Sequence, residues 1–261
     1  MIWKAGMSPF VKTIELSLFQ QALYKLFPGL KNLLIKWFGI DACDSIFAGQ
    51  ILFPRNNSFM DRKFLLNLSA GNVEKEEIKL CMKHLKTNSR IVEIGSGLGI
   101  AASIINRAKN PEFHICFEVN PLAREYCEEL FQFNNLEIAT VGKALGSGQT
   151  TKFYQCKDYV KSSFTPPAAD VPHVAVIVET TSISNIIHEY KPNVLICDIE
   201  GAEADFITPA ELTGIQSVMM ELHPKIYGIE MQNEIMKRFI SAGFKVVEKI
   251  EDCVFFQRKK I

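Results

Sequence analysis

Arg90-Ile91-Val92-Glu93-Ile94-Gly95-Ser96-Gly97-Leu98-Gly99 is the stretch whose reading decides the fold. Arg90 to Ile94 reads as a short buried strand that breaks on three alternating glycines, and the apolar run 100–105 has helical length and opens directly from the turn. An acid closes the strand, and the glycines let the turn bring its backbone close to a ligand. The helix that follows aims its free N–H groups and positive dipole end at the same place. The expectation is a small-molecule site at the edge of a parallel sheet. A dinucleotide fingerprint needs Gly-x-Gly-x-x-Gly, but its third glycine would fall on Ile100, so the spacing fails. The acid favours a ligand carrying positive charge over a diphosphate.

Outward from this turn, strands alternate with helices. An apolar stripe of Ile78, Cys81, Met82 and Leu85 predicts a helix over 74–85. Strands are expected over 113–119 and 136–141, with a helix over 121–133 between them. Such alternation implies right-handed crossovers and a parallel sheet. Residues 142–147 read as a loop. Short strands at 150–155 and 175–179 flank a Ser/Pro-rich stretch, 162–172, and mark a β excursion near the substrate side. A helix over 182–189, a strongly buried strand over 193–198, a helical start over 201–206 and a strand over 215–222 follow. A helix over 232–242 and a hairpin of 244–250 with 253–258 close the chain. The predicted architecture is α/β with a parallel sheet; the family resemblance given below implies in particular a Rossmann-like, seven-stranded, mostly parallel sheet of order 3-2-1-4-5-7-6 with its last strand antiparallel. It occupies residues 61–261, with an insertion at about 150–180 and an N-terminal helical extension over 1–60.

That extension reads differently from the rest. Val11, Ile14, Leu18, Ala22, Leu23 and Leu26 fit the 3.6-residue period, Pro28-Gly29 breaks it, and Leu30, Leu33, Leu34, Trp37 and Phe38 mark a second, shorter helix. Lys4, Lys12, Lys25, Lys31 and Lys36 face one acid, Glu15, between residues 1 and 40. The pattern fits a helical cap with solvated lysines, or a basic hairpin making peripheral contact with an anionic membrane.

Composition narrows the function. Lys+Arg and Asp+Glu balance at 29 each, which gives no general reason to expect nucleic acid as a partner. The seven cysteines form no Cys-x-x-Cys pair and several sit in apolar runs, as free thiols do in a reducing compartment. A cytoplasmic location is expected, and no metal centre or disulfide framework.

Two more segments supply strand ends. Glu118 lies 23 residues after Gly95, where an acid is placed to accept both ribose hydroxyls of a nucleoside cofactor. Cys197-Asp198-Ile199-Glu200-Gly201-Ala202-Glu203 closes the fourth strand, and period two puts Asp198 and Glu200 on one side for as long as the chain stays extended. A carboxylate buried at a strand tip is costly unless it is paired, protonated or bound to something. The bland alternative is a helix N-terminus, with Glu203 favoured by the dipole.

The glycine turn resembles that of S-adenosylmethionine-dependent methyltransferases of the Rossmann-like class, and the chain from about 88 to 256 resembles the FkbM-type family. The resemblance rests on ordered blocks: Phe117-Glu118-Val119-Asn120-Pro121, Val141-Gly142-Lys143-Ala144-Leu145-Gly146, Thr181-Ser182-Ile183-Ser184-Asn185-Ile186-Ile187, Asp198-Ile199-Glu200-Gly201-Ala202-Glu203 and Met220-Glu221-Leu222-His223-Pro224. Val119 stands where the family usually has proline. Ala70-Gly71-Asn72-Val73-Glu74 only loosely matches the family's Gly-x-Tyr-Glu segment. The resemblance implies S-adenosylmethionine as donor and S-adenosylhomocysteine as product. It also implies cofactor contacts from Glu93, Gly95, Gly97, Gly99, Glu118, Val119, Asn120, Lys143, Ala144 and Asp198. The implied acceptor is a hydroxyl on a sugar or natural-product small molecule.

The expected reaction is in-line displacement at the methyl, with the protein supplying alignment and a base for the hydroxyl proton. Asp198 is the first candidate base and His223, ending strand five, the second; Glu200 stands beside them. His84, His114, His173 and His188 have no comparable placement. Asp198, Glu200 and Glu203 together are also of a type to hold a divalent cation, which is not the favoured reading. A non-catalytic cofactor-binding scaffold and a nicotinamide-dependent oxidoreductase are the competing classes.

Overall fold

The computed structural model describes residues 45–48, 51–54, 60–156 and 161–259. The two helices expected within residues 9–39, with their lysines, lie outside the described residues. The chain divides into two compact units, Met1–Val73 and Glu74–Ile261. The first contains an antiparallel hairpin of β1 (Ser45–Ala48) and β2 (Ile51–Pro54), followed by α1 (Arg62–Ala70). Residues 1–60 are thus not wholly helical, since the β-branched and aromatic residues of these two runs pair as strands. Asp61 caps α1 by accepting from Phe64 N at 2.7 Å, and Gly71 ends it in the left-handed conformation.

The second unit begins with α2 (Lys75–His84) and β3 (Arg90–Ile94). Then come α3 (Ile100–Lys109), β4 (Phe113–Phe117), α4 (Pro121–Phe133) and β5 (Ala139–Val141). A second group comprises β6 (Lys143–Leu145), β7 (Thr150–Cys156) and β8 (His173–Thr181). The chain continues through α5 (Ile183–Tyr190), β9 (Val194–Cys197), the short α6 (Glu203–Phe206) and β10 (Ser217–Glu221). It closes with α7 (Pro224–Ser241), β11 (Phe244–Ile250) and β12 (Cys253–Arg258).

Seven of these strands form one sheet in the order β11-β12-β10-β9-β3-β4-β5. All neighbours are parallel except at β12, which runs antiparallel to both β10 and β11. Numbered along the whole chain, the order differs from the expected 3-2-1-4-5-7-6, which counts the strands of one sheet only; β1 and β2, and the separate sheet β6-β8-β7, stand outside that count. The loop expected over 142–147 is also corrected. Lys143–Leu145 forms β6, pairing in parallel with Glu179–Thr181 and burying Ala144 and Leu145.

Both faces of the large sheet are covered, which is why its central strands read as continuous apolar runs. Val92, Ile94, Leu195, Cys197, Val218 and Met220 face one side, against Ile183 and Ile186 of α5 and Ile235 and Phe239 of α7. Ile91, Val194, Ile196 and Met219 face the other, against Leu80 and Cys81 of α2 and Ala101 and Ile105 of α3. Full burial of each such aliphatic side chain contributes about 1.5–3 kcal/mol. The stripe predicted for α2 is rotated from the expected one: Met82 is 39% exposed, while Glu77, Leu80 and Cys81 are buried.

The C-terminal strand tips are laced by backbone hydrogen bonds. Glu118 N donates to Val141 O at 3.0 Å, Gly95 N to Phe117 O at 2.9 Å and Asp198 N to Ile94 O at 3.0 Å. The tightest point is Gly95, where an added Cβ would lie 1.6 Å from the Asp198 carbonyl oxygen, with φ at +82° besides. Neither backbone can yield without separating β3 from β9. Gly95→Ala is therefore expected to destabilise the protein by more than ~2 kcal/mol in urea unfolding, at the upper end of single-residue effects.

Candidate active site

The site is built on the tips of β4, β3, β9 and β10. After β3 the chain turns through Gly95, Gly97 and Gly99, all with positive φ, into α3. Gly99 lies against Phe131 and Cys127 of α4, so an added Cβ would meet the Phe131 ring at 2.8 Å. An added Cβ at Gly97 would come within 4.0 Å only of Glu74 Oε1, and the Gly97 N–H donates to Glu118 Oε2 at 2.8 Å. Glu118 Oε1 accepts from Asn120 N at 2.7 Å. The acid thus braces the turn and the β4 tip together, yet each of its oxygens retains a lone pair for a ribose hydroxyl. Burial pushes the Glu118 carboxyl up to about 7, although these backbone N–H bonds pull it back.

Asn120 caps α4 through Leu122 N at 3.1 Å, while its amide donates to Ser162 Oγ at 3.3 Å. The Ser/Pro-rich stretch therefore reaches the β4 tip, beside Glu118. Val119 is partly buried between them. Lys143 is turned toward Glu179, 3.0 Å away, and Ala144 is buried in the smaller sheet.

Glu93 occupies the penultimate position of β3, not its end, and is 4% exposed. Its Oε2 lies 3.3 Å from Nε2 of the buried His114, a histidine that sequence gave no reason to place there. Two further acids were not anticipated. Glu74, strained at φ +50°, accepts from Ala101 N at 2.7 Å and so occupies the N-terminus of α3 itself. Glu77 lies 5% exposed on the inner face of α2. The loose match of Gly71-Asn72-Val73-Glu74 to the family's approach segment hinted at the first; an acid one position before an apolar stripe was the only trace of the second.

Donor oxygens of Glu77, Asp198 and Glu221 lie within 4.8 Å of one another. So many partly buried carboxylates this close together cannot all be charged. Burial, then the neighbouring acids, raises Glu74 and Asp198 to about 8 and shifts Glu77 and Glu221 upward as well. One oxygen of Asp198, Oδ1, is buried without a hydrogen-bond partner. An orphaned carboxylate oxygen amid other acids fits a ligand that brings positive charge, as a sulfonium and an ammonium do, and fits a diphosphate poorly.

Beyond β9 the strand geometry ends at Cys197, so the expected alternation does not hold: Glu200 turns at φ +52° and Gly201 at +99°. The turn nonetheless brings both acids to one imidazole. His223 Nε2 lies 3.5 Å from Asp198 Oδ1 and 3.4 Å from Glu200 Oε2, and Nδ1 lies 2.9 Å from Glu203 Oε1. Glu203 opens α6, but its carboxylate turns to this histidine and to the Ile199 and Gly201 amides, each at 3.3 Å.

The family model for the FkbM methyltransferase domain matches residues 93–246, which contain every one of these tips. The chain belongs to the FkbM methyltransferase family. It is accordingly an S-adenosylmethionine-dependent methyltransferase with a Rossmann-like fold. No curated protein matches it. Among solved structures it is similar to an FkbM methyltransferase from Methylobacillus flagellatus, at 11% identity and a TM-score of 0.44 over 77% of this chain and 56% of that one. A precorrin-6y C5,15-methyltransferase from Geobacter metallireducens aligns at 10% identity and TM-score 0.45 over 80% and 97%. A protein of the NADB-Rossmann superfamily from Streptococcus agalactiae gives 11%, 0.46, 71% and 69%. Likenesses this distant add no argument about activity.

Two outcomes are expected for this FkbM methyltransferase. Glu118→Gln keeps the shape but removes the charge, and should weaken S-adenosylmethionine binding by about 10-fold or more in calorimetry, the loss expected when a charged hydrogen bond becomes a neutral one. Glu74, Asp198 and Glu118 are acids raised by folding, so the stability they give is fully present below their unfolded values near 4 and is lost progressively as pH rises to their folded values of about 7 to 8. Without cofactor, Tm should fall over that window. Binding of the cationic cofactor should tighten over the same window and release protons, read as a buffer-dependent binding enthalpy.

Proposed function

We propose that this FkbM methyltransferase methylates a hydroxyl oxygen on a sugar or natural-product small molecule. The observation that carries the reading is His223, an imidazole held from behind by a buried carboxylate and presenting Nε2 between Asp198 and Glu200 at the strand tips. A hydroxyl acceptor must lose a proton as its oxygen is alkylated, and this nitrogen is placed to take it.

When bound, S-adenosylmethionine supplies a methyl carbon already activated by its sulfonium. The chain does the rest by placement. Glu118 holds the ribose end, and the carboxylates of Glu74, Glu77, Glu93, Asp198 and Glu221 favour the positive end. Asp198, Glu200 and His223 meet the acceptor. The acceptor oxygen would take the methyl group, leaving S-adenosylhomocysteine, and its hydroxyl proton would pass to His223 Nε2 or to Asp198. The positive charge lost from sulfur is thus replaced by a proton within the site. Alignment of the acceptor accounts for much of the rate, as the donor is itself reactive.

Ile226, 60% exposed at the start of α7, lies beside this tip, against Gly201. Its side chain offers an apolar surface, which suits an acceptor with a hydrophobic body and one reactive hydroxyl. The six described cysteines are buried free thiols, in keeping with a cytoplasmic setting. No helix among the described residues is long and apolar enough to cross a membrane. Peripheral membrane contact would have to come through residues 1–40.

Radiolabelled methyl transfer into a panel of glycosides and hydroxylated polyketide-like compounds tests the reading. The expected product carries label that is stable to alkali, as an ether is. Label confined to amines, thiols or carboxyl esters would refute methylation of a hydroxyl. Asp198→Asn should lower turnover about 100-fold, while cofactor affinity falls less.

A further inference from the structure

Glu203 does not figure among the groups expected to act on the substrate, yet it is the most completely buried acid of the site, at 0% exposure. Its Oε1 accepts from three donors: His223 Nδ1 at 2.9 Å and the Ile199 and Gly201 amides at 3.3 Å. Its other oxygen, Oε2, is buried with no partner. A carboxylate so buried costs free energy unless a positive charge or an N–H donor is held beside it. The His223 ring is the donor closest to hand. The ring is also fixed from its own backbone, since His223 N donates to Tyr227 Oη at 2.6 Å.

We infer that Glu203 is a positioning residue: its buried carboxylate locks the His223 ring and its tautomer, so that Nδ1 keeps its hydrogen and Nε2 alone is left to receive a proton at the strand tips. The inference rests on the O-methylation reading for its role in turnover, but the ring's state is a property of the protein by itself. It also separates the two base candidates. Asp198 Oδ1 sits in a crowd of acids that resists further negative charge and is best relieved by a cation. His223 Nε2 faces that crowd from outside and has its second nitrogen already committed. Histidine with one nitrogen held by a carboxylate and the other presented to the reacting proton is the arrangement that general-base catalysis by imidazole requires.

The titration follows from the neighbours on every packed element. Burial by itself would pull the His223 imidazolium down. The hydrogen bond and charge of Glu203 from α6, with Asp198 and Glu200 beyond β9, more than offset that and raise it to about 9. Glu221 at the end of β10 adds negative charge, and Tyr227 on α7 is held neutral, its phenol pushed up to about 12 by burial. The folded-state value lies above the unfolded one, so the ring favours folding at low pH, and that contribution is lost as pH rises through about 9. The neutral, base-competent ring therefore grows in as pH rises, and a cation bound at the acid cluster brings that limb to lower pH by repelling the imidazolium.

The test pairs ring nitrogen NMR on the full chain with steady-state kinetics. In the unsubstituted protein the neutral ring should be the Nδ1–H tautomer. In Glu203→Gln the ring's midpoint should fall by about one pH unit or more, and the tautomer preference should be lost. Glu203→Asp, which keeps the charge, should titrate nearer the unsubstituted protein. An Nε2–H tautomer in the unsubstituted protein overturns the inference whatever the variants do, and so does a ring midpoint and tautomer unmoved in Glu203→Gln. In turnover, Glu203→Gln should lower kcat about 100-fold at unchanged KM for S-adenosylmethionine, with the rising limb of the pH profile moved to lower pH. It should add no further loss in a His223→Gln background. Losses that multiply would mean that Glu203 acts independently of His223, and would overturn it. Failure to find any hydroxyl acceptor while the NMR behaves as expected would strike the O-methylation reading alone.

Discussion

The contact between Gly95 and the Asp198 carbonyl is the constraint from which the site follows. A side chain at Gly95 would sit 1.6 Å from that oxygen, so β3 and β9 approach as they do only because the first residue of the turn has none. The approach delivers Asp198 N to Ile94 O and fixes where the Asp198 carboxylate emerges. From there the tips are serial. The turn after β3 is tied to β4 through Phe117 O, and β4 to β5 through Val141 O. Glu118, fastened to Gly97 and Asn120, then reports the position of the turn to the far side of the sheet.

A site made this way concentrates negative charge where water is scarce. Glu74, Glu77, Glu93, Asp198 and Glu221 come from two strands, two loops and one helix. Their sum is a place where positive charge is strongly favoured and where removing it is costly unless protons return. That bears on the direction of catalysis. In the proposed transfer to a hydroxyl, the positive charge of the bound sulfonium would be lost and the acceptor's proton released within the same site. A cluster that accepts protons close to neutral pH can exchange one cation for the other and hold its net charge steady through the reaction.

Much of this was legible in the sequence, and what was not has a common cause. The turn, Glu118 and Asp198 were readable because each is a local pattern: glycines where φ must be positive, and acids at the ends of apolar strands. The boundaries of α4, β11 and β12 were equally local, set by Pro121 at the helix start and by a hairpin of two apolar runs. Glu77, His114 and the Glu203–His223 pair were not readable in that way. Each has its meaning in a partner 20 or more residues away, and alone each looks like an ordinary acid or histidine. Lys143–Leu145 looked like loop between glycines because only its pairing with β8, more than thirty residues on, makes it a strand. The hairpin β1–β2 was lost among helical signals for a similar reason, since short strands have little pattern of their own.

The turn after β9 shows why distance in sequence matters for function. Extended backbone would have set Asp198 and Glu200 on one face, and that expectation reached a correct grouping by an incorrect route. The chain instead leaves strand geometry at Cys197 and accepts strain at Glu200, whose φ of +52° costs on the order of 1 kcal/mol or more. Glu203 offsets that strain by drawing the Ile199 and Gly201 amides onto one oxygen. The same oxygen holds His223, so the device that stabilises an awkward turn also aims an imidazole from the neighbouring strand. A helix N-terminus alone would explain an acid at position 203, but it would not explain why that acid is fully buried, with His223 Nδ1 at 2.9 Å. Burial and the shared oxygen tie the turn to the histidine, and through it the β9 tip to the β10 tip.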